Sequence, residues 1–468
     1  MASLVQKFKG LFGEQDMTKG NVLGVLVKFS IPLLIGNIAQ QLYATVDSII
    51  VGKYVGDNAL AAVGASGPII NLLLVLFMAI STGVGIQVAQ FHGARDKRTL
   101  ASAVGGAITW IVITGAIIMA LGIPLAGPLL ALIDTPEAIF DMSRSYLVIS
   151  FIGIISSGLY NIISGILRGM GDATYPLIFL LVATVINIVL DLLFVAGFGW
   201  GVPGVAWATI LAQAISAVLC VWRMFKMRDK MDMKASDLKP TAALSKQLFR
   251  LGLPAGITQA IFSLSMVFVQ TLVNKIGVDM AAVNVVIMRV DGFAMMPNFT
   301  FGLAMATFVG QNIGAKKLKR VDEGIKACML LTMVVSITLV LTLVLFGHNL
   351  MAMFSNTERI LDLGAYGLRV LAVGYVAVGV SQVLSGALRG AGDTMPGMWI
   401  SLVTTVVIRV PLAYIMAALT VSEAWPHGHP NAIFVSLLIN WLIGAALNAW
   451  AFFKRDWRSR SLVDELNR

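Results

Sequence analysis

Three aspartates lie inside long apolar stretches of the sequence, at Asp47, Asp191 and Asp291. A charged side chain at the centre of a bilayer costs about 2.5–3.5 kcal/mol even on insertion-based scales, so acids in such positions are candidates for function. A carboxyl group there can bind and release a proton, or it can serve as a ligand for a hard cation such as Na⁺. The alternative for each acid is a structural hydrogen bond. The first chemistry that the sequence indicates is therefore proton or cation exchange inside a membrane.

The composition is that of a membrane protein. The 468 residues are 58% apolar and only 12% charged, whereas soluble chains are about 45–50% apolar and about 25% charged. Too few charges are present to cover a water-facing surface, which excludes a soluble enzyme and a disordered chain. The chain has only two cysteines, so a disulfide-rich secreted module is excluded as well.

Twelve apolar runs predict an all-α polytopic membrane protein with twelve transmembrane helices. Each run meets or nearly meets the length of about 20 residues that a helix needs to cross the hydrocarbon core. The runs, numbered in chain order, are Ile31–Val51, Ala59–Val88, Ala101–Ile123, Tyr146–Leu167, Pro176–Phe198, Gly204–Val221, Leu251–Val273, Ala281–Val309, Ala327–Leu345, Ala365–Leu388, Pro396–Val421 and Ile433–Phe453.

The distribution of basic residues predicts the orientation. If the N-terminus is cytoplasmic, 27 of the 34 lysines and arginines fall in cytoplasmic segments and five fall outside. Since positive charge collects on the cytoplasmic side, we expect a multi-pass protein of the cell (inner) membrane with both termini in the cytoplasm. The net charge of +10 is then explained by basic residues that set the membrane topology and contact anionic lipids, so binding to nucleic acid is not needed to explain it.

An internal repeat divides the chain into two halves. The segment Ser164–Asp172 returns as Ser385–Asp393, with seven of nine residues identical. Because six runs separate the two copies, both halves run in the same sense, and we expect two pseudo-symmetric six-helix lobes around a central cavity. The predicted N-terminal lobe is 1–227, the cytoplasmic linker is 228–246 and the C-terminal lobe is 247–468.

Each copy of the repeat ends in an Arg-Gly-x-Gly-Asp loop, with Arg168 and Asp172 in the first and Arg389 and Asp393 in the second. These charges can fix topology and cap the neighbouring helices, because Gly and Asp shortly before Pro are helix-stop and helix-start signals. A gating salt bridge on the cytoplasmic side is the other interpretation.

Two of the acids are predicted to share one polar pocket in the N-terminal lobe. Asp47 in run 1 and Asp191 in run 5 both lie about 22–24 Å from the cytoplasmic start of their helices, at a rise of about 1.5 Å per residue. Asn187 precedes Asp191 by one turn, so the two side chains point the same way. Five other side chains can add oxygens or donors to the pocket, namely Gln40, Tyr146, Asn161, Ser164 and Thr209.

The C-terminal lobe carries a different set of charges. Arg289 and Asp291 lie in run 8, and Arg409 lies in run 11. Arg289 and Asp291 can form a local pair, or Asp291 can reach Arg409. The set is either an internally neutralised strut or a charge pair that faces a substrate. Met295 and Met296 follow in run 8, where methionines suit varied lipophilic ligands but are equally ordinary against lipid.

The paired Leu-Arg-Gly-x-Gly-Asp loops resemble those of multidrug and toxic compound extrusion (MATE) transporters. The resemblance covers nearly the whole chain and implies twelve helices in two six-helix lobes. It extends to three further motifs, Val46-Asp47-Ser48 before Val51-Gly52, Asn187-Ile-Val-Leu-Asp191, and Gly201-x-x-Gly204-x-Ala206-x-Ala208-Thr209.

Within that family the chain looks like the DinF-type branch, whose ion-coupling acids lie in the N-terminal lobe. The other large bacterial branch places acids on helices 7 and 10, where this chain offers Gln259 and Gln382. The run 4 member of the site stays open between Asn161 and Ser164. The resemblance implies that the proton or cation site contains Gln40, Asp47, Tyr146, Asn187, Asp191 and Thr209.

Together these observations predict a secondary active multidrug efflux antiporter, which exports cationic or amphipathic organic compounds in exchange for protons or sodium ions. Protons are the preferred coupling ion, and the one metal ion considered is sodium at Asp191. Pro32 is the expected hinge of run 1, since proline removes a helix hydrogen bond. We expect a monomer that contacts membrane lipids and lipophilic or cationic drugs and that needs no cofactor.

Two alternative functions fit the sequence less well. A lipid-linked oligosaccharide flippase of the same superfamily typically needs a basic cavity for pyrophosphate, whereas the apolar runs hold two arginines against three acids. A membrane-embedded enzyme is disfavoured because the sequence has no His-Glu-x-x-His, no Walker phosphate loop and no Gly-x-Ser-x-Gly.

Overall fold

The computed structural model describes residues 13–227, 230–354, 357–423 and 425–466. These residues form helices and loops and contain no β-strand, as the predicted all-α class requires. Residues 1–12, which begin the predicted N-terminal lobe, and 228–229, which begin the predicted linker, lie outside the described part of the chain.

Long helices follow from the apolar runs because a span inside lipid must satisfy its backbone polar groups within itself. Two π-helical turns interrupt the pattern, Leu192–Gly197 after α6 and Leu402–Arg409 between α12 and α13. The described α-helices are α1 Val22–Tyr54, α2 Asp57–Ala94, α3 Lys97–Leu132, α4 Glu137–Ile152, α5 Ile154–Gly169, α6 Thr174–Asp191, α7 Gly201–Lys226, α8 Ala242–Ile276, α9 Val278–Gly314, α10 Leu318–Ala352, α11 Glu358–Gly390, α12 Met395–Ser401, α13 Val410–Leu419, α14 Asn431–Lys454 and α15 Leu462–Leu466.

The predicted membrane spans are helical. In the described residues, ten helical segments are each long and apolar enough to cross a membrane, and α4 with α5, bent by 51°, forms an eleventh. The helix α9 is 37 residues long, carries Arg289 and Asp291, and covers the predicted run 8. Each of the twelve predicted runs therefore lies on one or more of these helices.

The described residues form two compact units. Unit 1 is Met1–Met17, Val27–Leu253 and Leu466–Arg468, and unit 2 is Thr18–Leu26 and Pro254–Glu465, both taken over their described residues. The first turns of α8 thus belong to unit 1, although the rest of that helix belongs to unit 2.

The segment predicted as a linker is anchored on α3 within unit 1. Asp237, in the 3₁₀ turn after α7, is buried and accepts hydrogen bonds from Arg98 and Ser102 at 3.2 Å each. A Cβ on Gly105 would lie 2.3 Å from the carbonyl oxygen of Asp237, so glycine is needed for this close approach. A polar segment that sequence analysis treats as a linker is therefore a packed part of unit 1, which continues to Leu253.

The same close helix crossing occurs in both units. In unit 1 a Cβ on Gly169 of α5 would lie 2.7 Å from the carbonyl oxygen of Gly85 on α2. In unit 2 a Cβ on Gly390 of α11 would lie 2.4 Å from the carbonyl oxygen of Ala306 on α9. Small residues permit such backbone contact between membrane helices. Gly169 and Gly390 are equivalent in the repeat, so the repeat fixes the packing of each unit.

The helix ends also repeat. Arg95 after α2 and Lys316 after α9 have φ values of 59° and 57°, in the left-handed region. A left-handed residue after the last helical turn is a common way to end a helix. The two residues are equivalent in the repeat, so both units turn the chain in the same manner at this point.

Each unit holds the aspartate of its Arg-Gly-x-Gly-Asp loop with arginines of the same unit. Asp172 accepts hydrogen bonds from Nε and Nη2 of Arg223, at the end of α7, at 3.2 and 2.9 Å. Asp393 accepts hydrogen bonds from Arg455 and Arg460, which follow α14, at 2.6 and 3.2 Å. These contacts support the structural interpretation of the loops over a gating salt bridge.

Loss of Arg223 is expected to destabilise the protein. Burial raises the pKa of Asp172, and the hydrogen bond from Arg223 acts in the opposite direction and favours the charged form. Breaking a buried ion pair by removing one partner costs about 3–5 kcal/mol. We expect Arg223→Ala to lower the midpoint of thermal unfolding in detergent far more than Lys226→Ala, which removes an exposed charge from the same helix end. Equal midpoints for the two variants would contradict the structural role of this pair.

Candidate functional site

Two acids from different helices meet in unit 1. Asp47 on α1 and Asp191, the last residue of α6, lie close enough for their carboxyl groups to interact directly. In the part of the chain that the structure describes, Asp47 Oδ1 and both carboxyl oxygens of Asp191 are buried and have no well-aligned hydrogen-bond partner. Two carboxylates this close repel each other, whereas one shared proton lets them form a hydrogen bond. The geometry therefore suits a pair that binds and releases a proton.

Uncharged polar side chains surround the pair. Asn187 lies one turn before Asp191 and beside its carboxyl group. Tyr43 lies one turn before Asp47, and its phenol adjoins the hydroxyl of Thr209 on α7. Among the described residues, Tyr43 Oη, Asn187 Nδ2 and Thr209 Oγ1 have no well-aligned hydrogen-bond partner although they are buried. The pocket thus collects polar atoms that remain able to bind a proton, a cation or a ligand.

Tyr43 is the site residue that sequence analysis missed. It is four residues before Asp47 on the same helix, and this spacing places two side chains on one helix face. Tyr43 and Asp47 are four residues apart, as Asn187 and Asp191 are, so the sequence contained the information that Tyr43 shares a helix face with Asp47.

Tyr146 on α4 joins the acid pair to an apolar cluster. Its phenol lies near both Asp47 and Asp191, and its ring packs in a buried cluster that includes Val51 and Val202. Apolar surroundings raise the cost of an unpaired charge, so they favour a state in which the acids share a proton or bind a cation.

The backbone leaves Asp191 as the π-helical turn Leu192–Gly197. Such turns are uncommon inside α-helices and occur frequently at functional sites. Unit 2 has its own π-helical turn, Leu402–Arg409, which ends on a charged residue. In each unit a π-helical turn therefore adjoins or contains a charged residue of a candidate site, Asp191 in unit 1 and Arg409 in unit 2.

The two candidates from run 4 lie on α5. Asn161 donates a hydrogen bond to the Ser157 carbonyl within this helix at 2.8 Å, and Ser164 is buried beside Cys220. A bend of 51° separates α5 from α4, which carries Tyr146. The choice between Asn161 and Ser164 as a member of the ion site stays a prediction.

Two further predicted residues lie on α1, and the role of Gln40 in the ion site stays a prediction. Gln40 is exposed, two turns before Asp47. Pro32 is buried inside α1, and the helix continues through it from Val22 to Tyr54. The role of Pro32 as a hinge stays a prediction.

The charges of unit 2 do not pair as the sequence suggests. Asp291 accepts a hydrogen bond from the phenol of Tyr375 on α11, and it bonds to this phenol rather than to an arginine. Arg289 is exposed, and residues two apart on a helix point in different directions, which explains why it does not pair with Asp291. Arg409 is an electrostatic neighbour of Asp291. Tyr375 had no signal in the sequence, because its partner lies on another helix.

The two methionines of run 8 differ in their surroundings. Met295 packs against the apolar core of unit 2, and Met296 is partly buried. Met295 therefore contributes to packing, whereas the assignment of Met296 to a substrate cavity stays a prediction.

Comparison with known proteins gives concordant matches over most of the chain. The sequence profile of the MatE family matches residues 32–193 and 254–415. The chain is 29% identical over 459 residues to the probable multidrug resistance protein YoeA of Bacillus subtilis (strain 168), covering 96% of this chain and 97% of the relative. It is 31% identical over 405 residues to the probable multidrug resistance protein YpnP of the same strain, covering 86% and 90%.

A solved structure has the same fold. A protein described as MATE in the bent conformation superposes with a TM-score of 0.88, covering 98% of this chain and 99% of that one, at 24% identity. At this identity the likeness establishes the fold alone, which is the predicted one.

Proposed function

Because this chain belongs to the MatE family of multidrug and toxic compound extrusion transporters, we propose that it is a secondary active efflux antiporter. It exports cationic or amphipathic organic compounds in exchange for protons or sodium ions, with protons preferred. Two relatives are named multidrug resistance proteins, which supports drugs as the substrate class. The family consists of membrane transporters, so the protein is not an enzyme.

The observation that carries the proposal is the contact between Asp47 and Asp191. With one shared proton the two carboxyl groups attract each other. Without it they repel, and α1 can move away by bending at Pro32, where a backbone hydrogen bond is missing. If the drug favours one of these two states, proton binding and drug binding become coupled, since coupling requires a difference in affinity between states.

Proteoliposomes with separately imposed gradients test the proposal. We expect an outwardly driven flux of a fluorescent organic cation, such as ethidium, when a counter-directed proton gradient is imposed. A sodium gradient at fixed pH is expected to have no effect. Absence of transport under both gradients would overturn the antiport.

The neutral oxygens of the pocket distinguish the two coupling ions. A sodium site with one carboxylate needs several neutral oxygens, so Asn187→Ala and Thr209→Ala would weaken sodium-dependent drug release. A proton pair needs only the two acids, and we expect both variants to keep proton-driven efflux. The rate of ethidium efflux from proteoliposomes, under a proton gradient and under a sodium gradient, measures the effect of each variant. Efflux driven by sodium alone and lost in Asn187→Ala would reverse the assignment to sodium.

We also propose that the protein is a monomer of the cell (inner) membrane with both termini in the cytoplasm. Single cysteines introduced at exposed positions test the orientation, because both native cysteines are buried. Asn58→Cys and Glu423→Cys are expected to react with a membrane-impermeant maleimide added to intact cells. Ser236→Cys and Ser459→Cys are expected to react only after permeabilisation. The reverse pattern would show that the orientation is wrong.

A further inference from the structure

Unit 2 contains an arginine, Arg409, with a buried Nε atom. The neighbouring carboxylate, Asp291, is hydrogen-bonded to a different side chain. Arg409 ends the π-helical turn Leu402–Arg409, and among the described residues its Nε atom is buried without a hydrogen-bond partner. Asp291 is close enough to interact with Arg409 electrostatically. Its Oδ1 atom, however, accepts the hydrogen bond of the Tyr375 phenol. A buried polar group without a partner is costly, so the Nε–H of Arg409 is a strong donor that can take an acceptor.

Tyr375 is held by contacts with two other helices, α9 and α14. Its side chain is fully buried, and its ring lies 5.4 Å from the ring of Trp441 on α14. Its backbone carbonyl accepts a hydrogen bond from Asn298 of α9 at 3.1 Å. Asn298 in turn accepts one from Ser336 of α10 at 3.0 Å. Because Tyr375 is held in place, it also holds Asp291 away from an ion pair with Arg409.

The cluster has an open side. A Cβ placed on Gly292, next to Asp291, would meet no heavy atom within 4 Å. Asp291 and Arg409 are themselves only partly buried as whole residues. Charged side chains within membrane spans face the interior of a bundle or a water-filled cavity rather than lipid. Because Arg409 is only partly buried, a ligand can reach its side chain.

We propose that Arg409 is a carboxylate-binding subsite, which makes carboxylate-bearing amphiphiles, zwitterions included, substrates of the protein. A guanidinium presents paired N–H donors that match the two oxygens of a carboxylate. Tyr375 is a positioning residue, because it keeps Asp291 from neutralising Arg409. The inference rests on the proposed drug export, since it names a substrate class for it.

Equilibrium binding of two matched dyes tests the subsite. Rhodamine B carries a free carboxylate, and its ethyl ester keeps the same cationic ring system without that charge. Fluorescence anisotropy with the purified full-length protein measures both affinities. Because a hydrogen-bonded charge contributes about tenfold or more to affinity, we expect Arg409→Gln to weaken rhodamine B about tenfold more than the ester. Arg409→Lys is expected to retain part of the preference.

Tyr375→Phe tests the positioning role. Asp291, freed from the phenol, is expected to pair with Arg409 and to weaken rhodamine B selectively. Adding Asp291→Asn to Tyr375→Phe removes the competing carboxylate and is expected to restore rhodamine B binding. A merely structural role of Tyr375 would not be rescued in this way.

Three results would overturn the subsite: an equal loss of both dyes in a folded Arg409→Gln protein, no loss of either dye, or no rescue by Asp291→Asn. The unfolding midpoint shows whether each variant is folded, and Arg409→Lys serves if Arg409→Gln is not. Binding at equilibrium needs no gradient, so failure of the subsite is separable from failure of the antiport. If the protein distinguishes the two dyes but shows no gradient-driven flux, the antiport alone is refuted. If it shows gradient-driven flux but does not distinguish the dyes, the subsite alone is refuted.

Discussion

Replacement of Asp47 by asparagine is expected to abolish gradient-driven drug export while the protein still folds and inserts. Asparagine cannot take up the proton that Asp47 and Asp191 share, so the conformational change loses its dependence on the proton gradient. Coupling free energies between sites are typically about 1–3 kcal/mol, a factor of about 5–150, and we expect the acceleration of export that the gradient provides, a factor in this range, to be lost. A neutral side chain is easier to bury than a carboxylate, so membrane insertion is retained.

Drug resistance of cells and ethidium efflux from proteoliposomes measure the effect at matched expression. Asp57→Asn is the control, because it removes the same charge at an exposed position of the same unit, at the start of α2. We expect this control to match the unmodified protein. Full resistance in cells that produce Asp47→Asn at equal amounts would show that Asp47 is not a coupling residue.

The double replacement of Asp47 and Asp191 is expected to be no more severe than either single one. Asp191→Asn removes the other half of the pair and is expected to abolish gradient-driven export to the same extent as Asp47→Asn. Residues in direct contact couple and their effects do not add. Because the two carboxyl groups share one proton, loss of either one leaves no pair for the second replacement to remove.

Initial rates of ethidium flux for the two single variants and the double variant, each at several proton gradients, measure this coupling. The unfolding midpoint of each variant serves as the check on folding. If the two single losses multiply in the double variant, then Asp47 and Asp191 act independently, and the shared-proton geometry has no role in transport.

Hydropathy predicted the spans, and residue identity between the two halves predicted the repeat. Each span must satisfy its own backbone in lipid, so the length and composition of a run decide that it is helical. The repeated Arg-Gly-x-Gly-Asp loops divided the chain without any knowledge of packing. Asp47 and Asp191 were found in the same way, because an acid in an apolar run is costly, and the rise per residue placed both at one depth.

The partners of these side chains depended on tertiary structure. Hydropathy does not fix the rotation of a helix about its axis, so it did not reveal that Tyr375 bonds to Asp291. The bend between α4 and α5 breaks one apolar run into two directions. Asn161 and Ser164 lie beyond this bend, on α5, and hydropathy did not indicate that their helix changes direction from the one that carries Tyr146.

The linker shows the same limit. Its polar composition is typical of a loop, yet Asp237 is buried against α3 and paired with Arg98. The sequence alone determined which segments cross the membrane and which acids carry an unfavourable burial, because both follow from the chemistry of single residues against lipid. Only the tertiary structure decided which polar groups satisfy one another, because that depends on how bent and rotated helices meet in space.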